Sequence, residues 1–364
     1  MKTTFHSRRS FFLWLIAQLS CSVLTHAEEA SSRPEGNGDL TVMTRNLYIG
    51  SSFASLLAAT TPEQVPLAIA KSYAEVLRTD IRTRAAAWAD EIARAAPDLV
   101  GLQEAVLFRA QFPGDFLVGN PVQASTARID FVQLLLEGLA TRGAHYRVVA
   151  TLDGFDLELP SITGEDIRIT DRDVILARTN LPPGGLTILD TRTGEFATSL
   201  QIPVPGGQFV AFKRGWVSAD VRVGGRVIRF LSTHLERLSP AARLAQAREL
   251  LAGPANTDLP LLFVGDFNSD ATVPEITYRT LLAAGFSDVW TATRLQEAGL
   301  TCCQQADLRN PLPTFSERID LILTRGTRFD PVQSELVGEE LPDHLPSGLW
   351  PSDHAGLVAR IRIK

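Results

Sequence analysis

Leu261-Leu262-Phe263-Val264-Gly265-Asp266-Phe267-Asn268-Ser269-Asp270 is a short apolar run that begins after Pro260, stops at Gly265 and turns polar. It is too brief for a helix, and large apolar residues bounded by Pro and Gly predict a buried strand that delivers side chains to its end. Asp266 and Asn268 lie two positions apart, so at a strand end they point the same way. An anionic acceptor then stands beside an amide that both donates and accepts, a pairing that suits a water nucleophile next to a phosphate. Gly, Asp, Asn and Ser are equally what an ordinary strand exit contains, so this stretch alone leaves a plain turn as an even alternative.

Similar exits recur along the chain. Residues 40–44 read as a strand ending at Arg45-Asn46, and residues 99–103 as a buried strand with Glu104 at its end. Residues 216–223 and 227–232 flank Gly224-Gly225, a hairpin signal, and the second strand runs into Thr233-His234-Leu235. Strands at 319–324 and 356–363 stand beside Arg318-Ile319-Asp320 and Ser352-Asp353-His354. A lone Asp or His is most often a cap or a satisfied surface group. Six exits in order, offering Asn46, Glu104, His234, Asp266 with Asn268, Asp320, and Asp353 with His354, would collect along one edge if the strands lie side by side. Carboxylates and amides there can hold a hard divalent cation beside a phosphate.

Between these strands, residues 66–95 carry Ala, Leu and Ile at three- and four-residue spacing, as one amphipathic helix on a sheet would. Further helices are expected at 129–142, from the Ser239-Pro240 cap to Gly253, and at 274–284. Residues 108–125 read as a loop and 152–170 as a surface insertion. Asp171-Arg172-Asp173 precedes a strand at 174–177, and Gly/Pro breaks at 182–185 and 203–207 bracket hairpin-like β structure. No linker divides residues 40–363, so a single domain over 39–364 is expected, an α+β sandwich with helices outside two packed sheets.

With 364 residues, 45% hydrophobic and 21% charged, the chain can bury a large core. Residues 1–27 read as an export signal: Lys2, Arg8 and Arg9, an apolar run from Phe11 to Ala17, and Thr25-His26-Ala27 as the cleavage site. Ser7-Arg8-Arg9-Ser10-Phe11-Phe12-Leu13 also fits a twin-arginine signal, and either route gives a periplasmic or secreted protein. The apolar run is too short to span a membrane, so no stable anchor is expected. Residues 28–38 are a polar lead-in. Removing 1–27 takes the formal charge from −6 to −9, with 32 basic and 41 acidic residues, which argues against a basic, sequence-independent nucleic-acid surface but not against a local basic groove. It also leaves only Cys302 and Cys303, adjacent in sequence: a vicinal disulfide or two thiols, and no zinc spacing.

Thr44-Arg45-Asn46, Gln103-Glu104, Thr233-His234-Leu235, Gly265-Asp266-Phe267-Asn268, Arg318-Ile319-Asp320 and Ser352-Asp353-His354, in this order and spacing, resemble the endonuclease/exonuclease/phosphatase superfamily. That superfamily includes pancreatic-type deoxyribonucleases, abasic-site endonucleases, inositol-polyphosphate phosphatases and neutral sphingomyelinases. The resemblance covers nearly the whole chain beyond residue 38. It implies a four-layer α/β/β/α sandwich with two packed mixed sheets, and Mg²⁺-dependent attack of water on phosphorus, with Mn²⁺ or Ca²⁺ as alternative ions. It implies Glu104, Asn46 and Asp353 as metal-binding residues, and Asp266 orienting or deprotonating water while Asn268 holds a phosphate oxygen. His354, oriented by Asp320, would be general base or charge stabiliser, and His234, across the phosphate, a second donor or an acid near the leaving group. Asp171-Arg172-Asp173 lies where relatives carry a residue that touches the phosphate or supports the first histidine, and Arg172 could do the former, although an Asp-Arg-Asp run is more often a salt-bridged edge.

The activity expected is nuclease-like hydrolysis of phosphodiesters by a monomer, the substrate being a nucleic acid or a phospholipid headgroup. The sphingomyelinase-type alternative draws on Leu336, Val337, Leu341, Leu345, Leu349 and Trp350 as an apolar rim, although residues so scattered among Pro, Asp and Glu are expected to pack the sandwich. A polyphosphate-ring phosphatase finds no clustered Lys/Arg pocket. A binding module that kept the fold and lost catalysis would have replaced His354 or a metal carboxylate, and every such position is filled.

Overall fold

Alternating apolar residues with turn signals between them build two large sheets. The computed structural model describes residues 39–181, 185–204 and 208–364. The expected signal peptide at 1–27 and lead-in at 28–38 lie outside the described residues, as do 182–184 and 205–207 of the two Gly/Pro breaks. The larger sheet runs Phe329–Val337, Gly356–Ile363, Asp39–Asn46, Leu99–Gln103, Asp166–Arg178, Leu107–Gln111, Thr126–Asp130, with Tyr146–Pro160 paired along Asp166–Arg178. The smaller runs Ser287–Asp288, Asp320–Arg325, Leu261–Asp266, Arg226–His234, Gly215–Val223, Thr187–Glu195. Both are mixed: Asp39–Asn46 pairs parallel with Leu99–Gln103, and Arg226–His234 parallel with Leu261–Asp266, while their other partners run antiparallel.

Three apolar layers hold the four tiers together. Leu40, Val42, Leu99 and Ile175 of the larger sheet meet Val217, Phe230, Leu262 and Ile322 of the smaller one. On the outer face of the larger sheet, Met43, Leu102 and Val174 pack against helices Val65–Arg78, Ile81–Ala95 and Phe131–Thr141 through Ile69, Trp88 and Phe131. Outside the smaller sheet, Leu231, Leu261 and Phe263 pack against helices Pro240–Ala252 and Ile276–Ala283 through Leu250 and Leu281. This is the expected α/β/β/α sandwich.

Local expectations fare unequally. Ser239 caps its helix as anticipated, its hydroxyl accepting from Ala242 N at 3.2 Å. The single helix at 66–95 is instead two, because Asp80 takes a left-handed conformation and its carboxylate accepts from Thr83 N at 3.4 Å and Thr83 Oγ1 at 2.5 Å, starting a new helix. The loop at 108–125 contains most of strand Leu107–Gln111. The insertion at 152–170 is the turn end of a long hairpin, and its alternation of acids with Phe and Leu is the period of a strand with one wet face.

Two glycines let the backbone close on the site. A Cβ at Gly101 would stand 2.6 Å from Ser232 Oγ and 2.7 Å from Val264 Cγ2, so its absence permits the two sheets to approach there. Gly265 has φ +146°, and a Cβ would lie 2.1 Å from the Thr233 carbonyl oxygen of the neighbouring strand. Gly265→Ala is expected to destabilise the protein by about 1–3 kcal/mol or more, seen as a lower urea midpoint; an unchanged midpoint would mean that the strand can shift at little cost.

Candidate active site

Strand register assembles the site. His234 pairs with Asp266 in the parallel ladder, and Asp266 pairs with Asp320 in the antiparallel one, so three of the expected residues stand in a row across the end of the smaller sheet. Asn46 pairs with Gln103 at the matching end of the larger sheet, and Glu104 follows directly in a left-handed conformation, φ +53°. Gln103 Nε2 donates to Ser232 Oγ across the sandwich at 3.1 Å, locking the two ends together.

Asp266 is the hub, 1% exposed. Its Oδ1 accepts from Asn268 N at 2.8 Å and its Oδ2 from Asn46 Nδ2 at 3.2 Å; His234 Nε2 lies 3.3 Å and His354 Nε2 3.9 Å from that Oδ2. Asn46 Nδ2 also reaches Glu104 Oε1 at 3.3 Å, and Ile49 N donates to Glu104 Oε2 at 2.7 Å. Asn268, left-handed as Asn tolerates, donates from Nδ2 to the Leu235 carbonyl at 2.9 Å.

His354 Nδ1 meets Asp320 Oδ2 at 2.8 Å, and Asp353 Oδ1 lies 3.9 Å from His354 Nε2. The loop bearing them is tied down: Ser352 Oγ donates to the Asn46 carbonyl at 2.8 Å, and buried Arg45, paired with Glu91, donates to the His354 carbonyl. Cys302 and Cys303 are joined by a disulfide, and the Cys302 backbone bridges to His354. The structure thus gathers all eight expected residues, Asn46, Glu104, His234, Asp266, Asn268, Asp320, Asp353 and His354, at one edge.

Burial sets the protonation of the group. It drives the Asp266 carboxyl up to about 6, with Asp320 adding to the effect, and lifts Asp353 to about 6 despite His354. Glu104 is raised by burial and then by Asp171. Burial works against a charged His354, but Asp320, Asp353 and Asp266 outweigh it and raise its pKa to about 10, so it is an imidazolium at neutral pH. His234 goes the other way, held well below its ordinary value by burial and then by Arg214. Arg214 Nη1 lies 2.5 Å from His234 Nδ1 and can only donate, so Nδ1 accepts and the ring proton sits on Nε2, towards Asp266.

Arg214 is a site residue to which no motif points, and Asp171 and Asp173 flank Arg172 in the run to which the resemblance drew attention. Arg214 Nη1 pairs with Asp171 Oδ2 at 3.2 Å, and burial, with Asp171 next, pushes Asp173 well above the carboxylate range. The expectation that Arg172 touches phosphate is corrected: its guanidinium is committed to Asp130 Oδ1 at 2.5 Å and to the Ala105 carbonyl at 2.7 Å. The apolar rim of the sphingomyelinase-type alternative is mostly packing: Leu349 and Trp350 are fully buried against Tyr48 and Leu308, while Leu341 is 52% exposed.

The donor set fits a hard cation. Oxygen ligands predominate, and Oδ1 of both Asp353 and Asp320 is buried without a hydrogen-bond partner. Among the described residues, ligand atoms of Asp266, Asp320 and His354 also lie within 4.8 Å of one another. Carboxyls raised to about 6 stabilise the fold fully below their unfolded value near 3.8, and that contribution is lost as pH rises through about 6. Metal-free protein should lose this part of its stability between pH 4 and 6, and Mg²⁺ should restore it. His234, held neutral, contributes with the opposite sign below pH 6.5 but cancels in the comparison of loaded with metal-free protein. Mg²⁺ is therefore expected to raise Tm by about 2–4 °C or more at pH 7.5 and by less at pH 5; an equal rise at both would contradict the assignment.

Comparison with known proteins places this geometry. A profile of the endonuclease/exonuclease/phosphatase family matches residues 76–354, which include seven of the eight expected residues. Similar solved structures include an endonuclease/exonuclease/phosphatase family protein from Bacteroides thetaiotaomicron, 17% identical with a TM-score of 0.54, covering 90% of this chain and 99% of that one. They include a mannosyl-6-phosphatase of the same organism, 18% identical, TM-score 0.53, covering 88% and 99%. A humanised D. rerio TDP2 is 18% identical with a TM-score of 0.52, covering 89% and 99%. No curated protein is a significant sequence match. With the family profile spanning most of the chain and the same fold in these structures, the chain belongs to the endonuclease/exonuclease/phosphatase family of hydrolases.

Proposed function

We propose that the protein is an exported, monomeric, metal-dependent phosphodiesterase that uses water to break a P–O bond. The observation that carries this reading is the row His234, Asp266, Asp320 with His354, Glu104 and Asn46 at one edge of the sandwich. A bound Mg²⁺ would be held by Glu104, Asn46 and Asp353, and would supply charge neutralisation at the phosphate and at the departing oxygen. Among the described residues no helix is long and apolar enough to cross a membrane.

The residues divide the remaining work. Asp266, with a pKa near 6, is ionised at neutral pH and is suited to orient water and take its proton. His354 is already protonated there, which supports charge stabilisation at the phosphate rather than a role as base. Water adds to phosphorus, the P–O bond to the alcohol breaks, and the alcohol leaves with a proton from solvent while Asp266 returns its own. Neutral His234 keeps its Nε2–H towards Asp266 and Arg214 holds the ring in that tautomer.

Neighbours of this fold include the mannosyl-6-phosphatase and a D. rerio TDP2 complexed with a single-strand DNA product. The fold therefore accommodates more than one kind of phosphoester, and the test has to compare classes. Bis(p-nitrophenyl) phosphate, plasmid DNA and sphingomyelin vesicles are to be incubated in parallel with the purified protein plus Mg²⁺ or EDTA. Metal-dependent cleavage of at least one supports the reading; no cleavage of any by folded protein would overturn it.

A further inference from the structure

We propose that an apolar pocket opening from the phosphate site binds the hydrocarbon chain of an amphiphilic phosphoester. The inference rests on the hydrolase reading for where the phosphate sits, and on the pocket itself for what the ester carries. The pocket has a volume of about 760 Å³, in the range of small-molecule sites. Glu104, Asp171 and Arg214, which stand in or against the site, also line the pocket, so it reaches the edge of the site. Arg214 Nε is buried near that junction without a hydrogen-bond partner.

Away from that junction the walls are apolar. Leu56 and Ile69 come from the first helices, Leu157 from the long hairpin, and Val210 from the short arm Leu200–Val204/Gln208–Phe212. Beyond Glu104, Asp171 and Arg214 the polar lining side chains that could carry a charge or hydroxyl besides Tyr73 are Ser52, Ser72 and Glu158, and Glu158 already accepts from Ala124 N at 2.8 Å. Leu57 and Leu117, both lining residues, are 59% and 79% exposed, so apolar surface runs from the site out to solvent.

A nucleobase is a poor match for such walls. Bases are held by hydrogen bonds to their edges and by stacking on free aromatic faces. Of the six lining aromatics, Phe155 stacks on Phe212 at 4.5 Å and Tyr73 tilts against Phe108 at 5.6 Å, leaving Phe53 and Phe116, and donors and acceptors are few. A flexible alkyl chain needs neither, and gains from each methylene removed from water.

The test is a series of 4-nitrophenyl alkyl phosphodiesters, from methyl to dodecyl, below their micelle concentrations and with Mg²⁺. Water adds to phosphorus, the bond to nitrophenolate breaks, and the alkyl phosphate monoester remains. kcat/KM should rise by about two- to fourfold per methylene until the pocket is full, reaching at least about 100-fold from methyl to dodecyl. Val210→Trp and Leu56→Trp, which fill the pocket at half-buried positions, should bring that ratio towards one, and Val273→Trp, exposed and outside it, should not. Turnover independent of chain length, or a ratio untouched by both filling variants, would overturn the proposal; plasmid DNA cleaved with no chain-length effect would do so in favour of nucleic acid. If no ester is hydrolysed, the hydrolase reading fails, and calorimetry of dodecyl against butyl phosphate decides the pocket alone. Binding of the dodecyl compound at least about 100-fold tighter upholds it, and equal or undetectable binding overturns it.

Discussion

Asp266→Asn is expected to lower kcat for bis(p-nitrophenyl) phosphate by about 10²–10⁴-fold with Mg²⁺ at pH 7.5, with only a small change in the stability of metal-free protein. Asp266 Oδ1 takes the Asn268 N–H and its Oδ2 faces Asn46, His234 and His354, so four groups at this edge converge on one carboxylate. An amide of the same shape keeps the bond to Asn268 N but has no basicity for a water proton. It removes a charge that burial already disfavours, as the rise to about 6 shows, but turns an NH2 towards the donors on Asn46 and His234. The two effects oppose each other, so the Tm in EDTA at pH 7.5 should stay within about 5 °C of the wild type. A residue holding only structure would lose activity and stability together, and that outcome would move Asp266 out of the chemistry.

His354→Ala is expected to cost a similar 10²–10⁴-fold in kcat, and here stability should fall as well. Asp320 is fully buried, its Oδ1 is already without a partner, and its Oδ2 depends on His354 Nδ1. Removing the imidazolium leaves a buried carboxylate unpaired, at about 3–5 kcal/mol. His354 raised to about 10 stabilises the fold fully below its unfolded value near 6.5, and this is lost as pH rises through about 10. The stability difference between wild type and His354→Ala should accordingly be largest below pH 6.5 and shrink towards pH 10. Because Asp320 acts through His354, the double variant with Asp320→Ala should be no slower than His354→Ala alone and more stable than it. Additive losses in kcat would mean that Asp320 has a separate task.

The sequence made the strand-end residues legible because each depends on local pattern. A run such as Leu261–Asp266 announces both its burial and its exit, and the pairing of His234, Asp266 and Asp320 follows once the strands are neighbours. Arg214 was not legible in the same way. It stands between Lys213 and Gly215 at a strand start, and its partners Asp171 and His234 are 43 and 20 positions away, so only tertiary packing reveals the triad. Asp171 carried a faint signal in Asp171-Arg172-Asp173, but alternation along the strand turns Arg172 away from the site and Asp171 and Asp173 towards it.

The misread elements share another cause. Residues 66–95 keep helical spacing throughout, and the break at Asp80 is written only in a cap, Asp80 with Thr83, that spacing arguments overlook. Residues 152–170 show a two-residue alternation that reads as a surface insertion because its wet face is rich in acids. The pocket behind Glu104 could not be read at all, since its walls come from helices, a long hairpin and a short arm far apart in sequence.

Hydrolysis of bis(p-nitrophenyl) phosphate in heavy-oxygen water, with product masses read for wild type and Asp266→Asn, tests the central claim most directly. The account predicts Mg²⁺-dependent release of nitrophenol, the heavy oxygen in the p-nitrophenyl phosphate and none in the nitrophenol, with both products absent in EDTA and strongly reduced in the variant. Label in the nitrophenol, or turnover that survives both EDTA and Asp266→Asn, would contradict it.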